Sequence, residues 1–229
     1  MIRGIGNYIR MSDQLILKFP FHQAYKKEDF YVSPSNQEAY DFINSWPKWI
    51  KRTANIFGPS GSGKSHLASI LKSKTSHLQI EGKNLSDDIF FKFKIKEALI
   101  IENLDEKVSE KLLFSLWNTI LQDNKYLLIT SKNPINSFKF ELRDLMSRVT
   151  SSLIIGINLP SDDLISVILA KNFSDKQIKV EKKHIDYIIK RIDRSYEKIS
   201  QFILTLDKYS LKKGSPFALK MIKEVLKMV

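Results

Sequence analysis

The run Gly58, Pro59, Ser60, Gly61, Ser62, Gly63, Lys64, Ser65 limits what this chain can fold into more than any other feature. It matches the pattern G-x-x-x-x-G-K-[ST] in full, with a strand candidate, Ala54 to Phe57, before it and a helical stretch through Leu71 after it. Three of the chain's 8 glycines fall inside it. Glycines let the backbone take φ > 0 and curl, so that successive N–H groups turn inward at the positive end of the following helix, a cradle for phosphate. In such a loop Lys64 reaches the β- and γ-phosphates and the Ser65 hydroxyl ligates Mg²⁺.

The segments around the loop alternate in type. Ser33-Pro-Ser-Asn-Gln-Glu38 carries N-cap residues ahead of a helical stretch through Ile43. Leu78 to Glu81, Ala98 to Glu102, Tyr126 to Thr130 and Ile154 to Ile157 read as strands, and Glu106 to Asp123 carries apolar residues at helical spacing. Strands alternating with helices predict an α/β fold with a parallel sheet covered on both faces. After Pro160 the pattern becomes helical throughout, with segments at Asp162 to Asn172, Glu181 to Ile192, through Leu206 to Tyr209, and from Pro216 onward. The expected organisation is an extended tail over 1–22, an α/β nucleotide-binding domain over 23–159 and a small helical lid over 160–229. Met11-Ser-Asp-Gln-Leu15 reads as a start of its own, with Met1 to Arg10 as an upstream extension.

Composition removes several classes of function. The chain has no cysteine, which excludes disulfides, thiolate catalysis and Cys-based metal sites. Its 4 histidines form no i, i+4 pair. No apolar run approaches the ~20 residues of a membrane span, and no signal-peptide pattern opens the sequence, so a cytoplasmic protein is expected. The 37 basic side chains outnumber 25 acidic ones, a net charge of +12, and residues 160–229 hold half of that surplus. The basic residues are overwhelmingly lysine, which suits a solvated surface and weak, salt-dependent attraction to DNA.

Four further groups are candidates for chemistry. Glu102 follows the apolar Ala98 to Ile101 and is expected at the C-terminal edge of its strand, where an acid holds a hydrated metal beside a phosphate loop. Asn103 stands next, and a neutral amide cannot act as a general base; Asp105 and Glu106 either compensate for it or, as expected, open the following helix, where acidic side chains favour the dipole. Ser131 ends another apolar strand, as a phosphate or water ligand or as an ordinary turn former. Arg148 is one of few arginines. It is either a trans-acting phosphate contact or half of an i, i+4 ion pair with Asp144. Gln14-Leu-Ile-Leu-Lys-Phe19 alternates apolar side chains, which suits a groove-binding peptide or an edge strand.

In order and spacing, these residues resemble the AAA+ domain of the bacterial replication initiator DnaA and its short homologues of the Hda group. The resemblance runs from about Gln14 onward through Glu28 to Asn36, the phosphate loop with His66, Leu99 to Asn103, Leu127 to Ser131, Asp144 to Arg148, and Lys190 to Arg194. It implies ADP or ATP with Mg²⁺ as cofactors. Phe30 and Tyr31 would lie by the adenine, His66 would belong to the nucleotide site just after the phosphate loop, Glu102 would be the Walker B acid, Ser131 would fall near sensor I, and Arg148 would be an arginine finger. It also implies that Gln14, Leu15, Leu17 and Phe19 bind the β subunit of the DNA polymerase sliding clamp. The arginine would then act on ATP held by DnaA, restraining replication initiation.

The sequence departs from the family at three places. Glu102 replaces an aspartate and Asn103 lacks the second acid, so intrinsic ATPase activity is expected to be weak. The lid arginine of AAA+ proteins has no clear counterpart: Ser200 falls near its place and Arg194 is a substitute. No DNA-reading domain is expected after the lid. The rival reading is an active ATPase of initiator or helicase-loader type working on DNA, and self-association is compatible with both.

Overall fold

β1 (Thr53–Phe57) has four buried residues in succession, the signature of a strand covered on both faces. The computed structural model of the chain describes residues 30–175, 180–213 and 219–229. Gln14, Leu15, Leu17 and Phe19 lie outside the described residues. β1 sits inside a five-stranded, all-parallel sheet of order β2-β3-β4-β1-β5, with β2 (His77–Glu81), β3 (Ala98–Leu104), β4 (Tyr126–Ser131) and β5 (Leu153–Gly156).

Period-2 alternation divides the core between the two faces of the sheet. Leu99, Ile101, Leu127 and Ile129 pack with Leu113, Leu116, Trp117 and Ile120 of α4 (Glu110–Gln122) and with Leu145 and Val149 of α5 (Arg143–Thr150). Ala54, Ile56, Ile100, Leu128 and Ile155 face Ala39 and Ile43 of α1 (Gln37–Asn44) and Leu67 and Leu71 of α2 (Lys64–Lys72). The short helix α3 (Ile89–Phe93) plugs Ile89 and Phe93 into the first of these clusters.

α4 begins later than expected. Ser109 is its N-cap and accepts from Leu112 N–H, while Asp105 and Glu106 remain in the preceding turn, where the Asp105 carboxylate accepts from Lys107 N–H at 2.9 Å. Ser109 thus takes the N-cap position, and the acidic pair stays one turn ahead of the helix. Glu110, in that first turn, instead accepts the backbone N–H groups of Glu141 (3.0 Å) and Leu142 (2.8 Å), fixing the entry to α5.

Beyond Pro160, α6 (Asp162–Asp175), α7 (Lys182–Ile189), α8 (Tyr196–Lys213) and α9 (Leu219–Leu226) share a third apolar cluster, centred on Leu169, Ile188, Phe202 and Ile222. α8 meets the sheet unit directly: the buried Tyr196 donates its hydroxyl to the Asn158 carbonyl at 3.2 Å and packs over the glycine loop. No described helix is long and apolar enough to cross a membrane.

Candidate functional site

The loop leaves β1 with its first N–H bound to β4, Gly58 N–H donating to the Ser131 carbonyl at 3.2 Å, and then turns through Ser62 N–H to the Pro59 carbonyl. Gly61 and Gly63 have φ of +79° and +94°, where side chains are strained. Space is tight as well: a Cβ on Gly63 would stand 2.9 Å from the Phe30 ring, and one on Gly61 would stand 3.1 Å from Tyr196 Cβ. α2 starts at Lys64, so its unpaired N–H groups and positive dipole end face the loop. Around it opens a cavity of about 630 Å³ lined by Ser60 to His66 with Asn103, Lys132 and Ser200.

Lys64 Nζ donates to the carbonyls of Gly58 (2.7 Å) and Pro59 (2.8 Å), with Ser62 Oγ at 3.5 Å. Two of its three donors are spent on the loop, which holds the remaining charge over the cradle. Burial, and then the nearby Lys132 ammonium, push its pKa down from 10.5 to about 8. A polyphosphate favours the charged form, so above pH 8 binding must take up a proton. We therefore expect nucleotide affinity to be flat below pH 7 and to fall by up to about tenfold per pH unit above 8. Calorimetric titration at pH 6.5, 7.5, 8.5 and 9.5 measures this, and constant affinity across the series would contradict it.

The structure gathers some of the expected site residues and leaves others apart. The Phe30 ring lies against Gly63, meets His66 edge-on at 5.2 Å and stacks on Tyr40 at 5.5 Å, while Tyr31 is 47% exposed beside it. Glu102 does not end its strand: β3 continues to Leu104, and the buried Glu102 carboxylate accepts from Gln79 Nε2 at 2.5 Å rather than lining the cavity. Asn103 does line it. It sits at a register shift between β3 and β4 with φ +54°, a conformation asparagine tolerates, and is held by Thr130 Oγ1 on its N–H and by Glu81 on its amide.

Ser131 is fully buried and committed elsewhere, accepting from Asn55 Nδ2 (2.9 Å) and donating to the Asn133 carbonyl (2.6 Å); the next residue, Lys132, enters the cavity instead. Arg194 pairs with Asp162 at 3.1 Å and is not among the lining residues, whereas Ser200, one turn into α8, is. Arg148 is exposed on α5. Among the described residues no ion pair joins it to Asp144. Its carbonyl accepts from Ser151 and Ser152 hydroxyls, and Ser152 Oγ lies 2.9 Å from Thr53 Oγ1 at the start of β1. The phosphate loop leaves the other end of that strand, roughly 16 Å away at 3.3 Å per residue. Sequence reasoning missed Lys132 and Asn55; the signal for the first was its place immediately after a strand beside β1, where α/β sites open.

Among the described residues no group of three His, Asp or Glu side chains gathers to hold a metal. The residues that fit a magnesium are those of a phosphate loop: the Ser65 hydroxyl on the cavity wall, completed by phosphate and water oxygens.

No protein-family model matches the chain. Its curated relatives include the chromosomal replication initiator protein DnaA of Borrelia garinii subsp. bavariensis, 26% identical over 234 aligned residues covering 90% of this chain and 48% of that protein. DnaA of Campylobacter jejuni is 27% identical over 231 aligned residues, covering 87% and 51%. The chain thus spans about half the length of the curated relatives it matches. In fold it is similar to domain III of the Thermotoga maritima replication initiation protein DnaA, with a TM-score of 0.74 at 19% identity, covering 91% of this chain and 98% of that one. It is also similar to AMPPCP-bound DnaA from Aquifex aeolicus, with a TM-score of 0.68 at 18% identity, covering 83% and 67%. Its fold is similar as well to that of the Thermotoga maritima RuvB Holliday junction branch migration motor, at a TM-score of 0.65 and 15% identity, covering 85% of this chain and 68% of that one.

Proposed function

We propose that this DnaA-like AAA+ protein is a nucleotide-binding adaptor that brings Arg148 to ATP held by another subunit, DnaA itself, while tethered to the DNA sliding clamp, and so restrains replication initiation. The observation that carries the reading is the separation of Arg148 from the chain's own phosphate loop. Arg148 lies on the exposed face of a helix whose end is tied to the far end of β1, which puts it out of reach of its own nucleotide and open to another's. A planar guanidinium suits the charge spread over a transferring phosphoryl group.

ADP or ATP binds at Gly58 to Ser65 with the base beside Phe30, Tyr31 and His66. The Ser65 hydroxyl would hold Mg²⁺, with Glu102 as the Walker B acid. A bound magnesium supplies charge neutralisation for the phosphates. Asn103 at the cavity wall offers no carboxylate to polarise water, which supports slow turnover by the chain alone. Gln14, Leu15, Leu17 and Phe19 supply the clamp contact as an extended peptide with alternate side chains in a groove. DNA contact is weak phosphate attraction from the lysine surplus.

Deleting Gln14 to Phe19 is expected to abolish clamp binding, read by surface plasmon resonance, while nucleotide affinity stays within about twofold. Undiminished clamp binding by the deletion variant would overturn the adaptor reading. Fast ATP turnover by the chain alone would favour a self-sufficient ATPase instead.

A further inference from the structure

The turns that feed β1, β3 and β4 meet at the end of the sheet opposite the phosphate loop, and cross-links hold them as one surface. Arg52 donates to the Asn124 carbonyl at 2.6 Å and covers the Tyr126 ring at 5.0 Å, while the Tyr126 hydroxyl donates to the Pro47 carbonyl at 3.4 Å. Trp46 packs edge-on against Tyr126 at 4.4 Å. Lys125 in turn donates to the carbonyls of Phe93 (3.1 Å) and Lys94 (2.7 Å), where α3 ends. A surface pinned in this way loses little freedom when something docks on it.

This surface presents two isoleucines set among lysines. Ile50 is 89% exposed and Ile95 is 84% exposed, the first within Lys48-Trp-Ile-Lys51 and the second within Lys94-Ile-Lys96. Each stands three residues before its strand, and only β4 separates β1 from β3, so the two turns lie roughly 10 Å apart at about 4.8 Å per strand. Among the described residues Lys48, Lys51, Lys94 and Lys96 make no ion pair. The two acids of these turns are engaged: Asp123 lies 3.7 Å from Lys125, and Glu97 accepts from the Thr75 hydroxyl at 2.7 Å.

Charge and exposure together select the partner. Lysines attract any anion, phosphate or carboxylate, over a Debye length of about 10 Å. A nucleic-acid backbone would meet the lysines and leave both isoleucines in water, whereas a protein segment covers them and removes that apolar surface from solvent. Side chains about 10 Å apart on one face occur at i and i+7 of a helix, which rises about 1.5 Å per residue.

We propose that this end of the sheet is a docking surface for an acidic amphipathic helix of another protein, whose apolar side chains seat on Ile50 and Ile95 and whose carboxylates pair with the lysines around them. The surface lies one strand's length, roughly 16 Å, from the phosphate loop, so docking leaves nucleotide affinity unchanged.

The test is fluorescence anisotropy of the full chain with a labelled peptide of about 20 residues, long enough to form a helix, with leucine at i, i+3 and i+7 and glutamate on either side of that row. The comparison ligands are the same peptide with serine for leucine, the same peptide with lysine for glutamate, and a labelled DNA duplex. Wild type is expected to bind the acidic peptide with a Kd of roughly 10–100 μM and the two altered peptides at least about tenfold more weakly. Ile50→Ser, Ile95→Ser, Lys51→Glu and Lys94→Glu should each weaken binding about fivefold or more. Both serine variants should unfold at the wild-type temperature, since the side chains they lose are exposed. No binding of the acidic peptide by wild type, equal binding of it by the serine variants, or equal binding of the altered peptides would overturn the proposal. A duplex held more tightly than the peptide, lost in the glutamate variants and kept in the serine variants, would assign the surface to nucleic acid and overturn it as well.

Discussion

Replacing Asn55 with alanine is expected to destabilise the chain by about 2–4 kcal/mol. Asn55 lies in the middle of β1 and is fully buried. Its amide donates to the Ile129 carbonyl (3.2 Å) and to Ser131 Oγ (2.9 Å), and its Oδ1 accepts Ile135 N–H (3.0 Å). Alanine would leave that N–H without a partner in a place water does not reach, which costs the full desolvation of the group. A small cavity adds to the loss. At roughly 2–4 °C per kcal/mol for a chain of this size, the midpoint of thermal unfolding should fall by about 5–15 °C. Asn55→Asp should be no milder, since a carboxylate oxygen would face the Ile129 carbonyl in the buried strand. Because the same side chain pins Ser131, nucleotide affinity should fall with stability. An unchanged midpoint, measured by calorimetry, would contradict the structural role given to Asn55.

Replacing Arg148 with alanine is expected to leave folding untouched and to remove at least about a hundredfold of stimulated ATP hydrolysis by DnaA, since an arginine supplied in trans is worth about 10³–10⁵ in turnover. The side chain is exposed on the last turns of α5, so its loss costs at most a favourable dipole interaction of about 0.3–1 kcal/mol. Arg148→Lys should restore little, because an ammonium is a point charge without the planar fork. A circular dichroism melt separates the two effects: an unchanged melt with lost stimulation assigns the loss to chemistry.

The sheet, its parallel character and the phosphate loop were legible because each rests on a local signal: apolar runs bounded by turn residues, and glycines at a spacing that only a tight loop requires. The helices after Pro160 were legible by periodicity. α3 was not, since Ile89–Phe93 is a single turn with its middle phenylalanine, Phe91, 86% exposed, too short for any period to show. The site was legible in its loop and obscure at its walls. Glu102 was expected at a strand end, but the register shift after Ile101 carries β3 two residues farther and brings Asn103 to the cavity. Ser131 and Lys132 differ by one residue, and which of them enters the site depends on the buried Asn55 bond from a neighbouring strand. Arg194 was offered as a lid cation, and its partner Asp162, distant in sequence, takes it away.

The most direct test of the trans-acting role proposed for Arg148 measures two hydrolysis rates with the same Arg148→Ala protein: its own ATP turnover, and that of ATP-bound DnaA in the presence of clamp-loaded DNA. The expected result is an unchanged first rate and a second rate that falls to its unstimulated level. A fall in the chain's own turnover, with DnaA still fully stimulated, would contradict the separation of Arg148 from its own nucleotide.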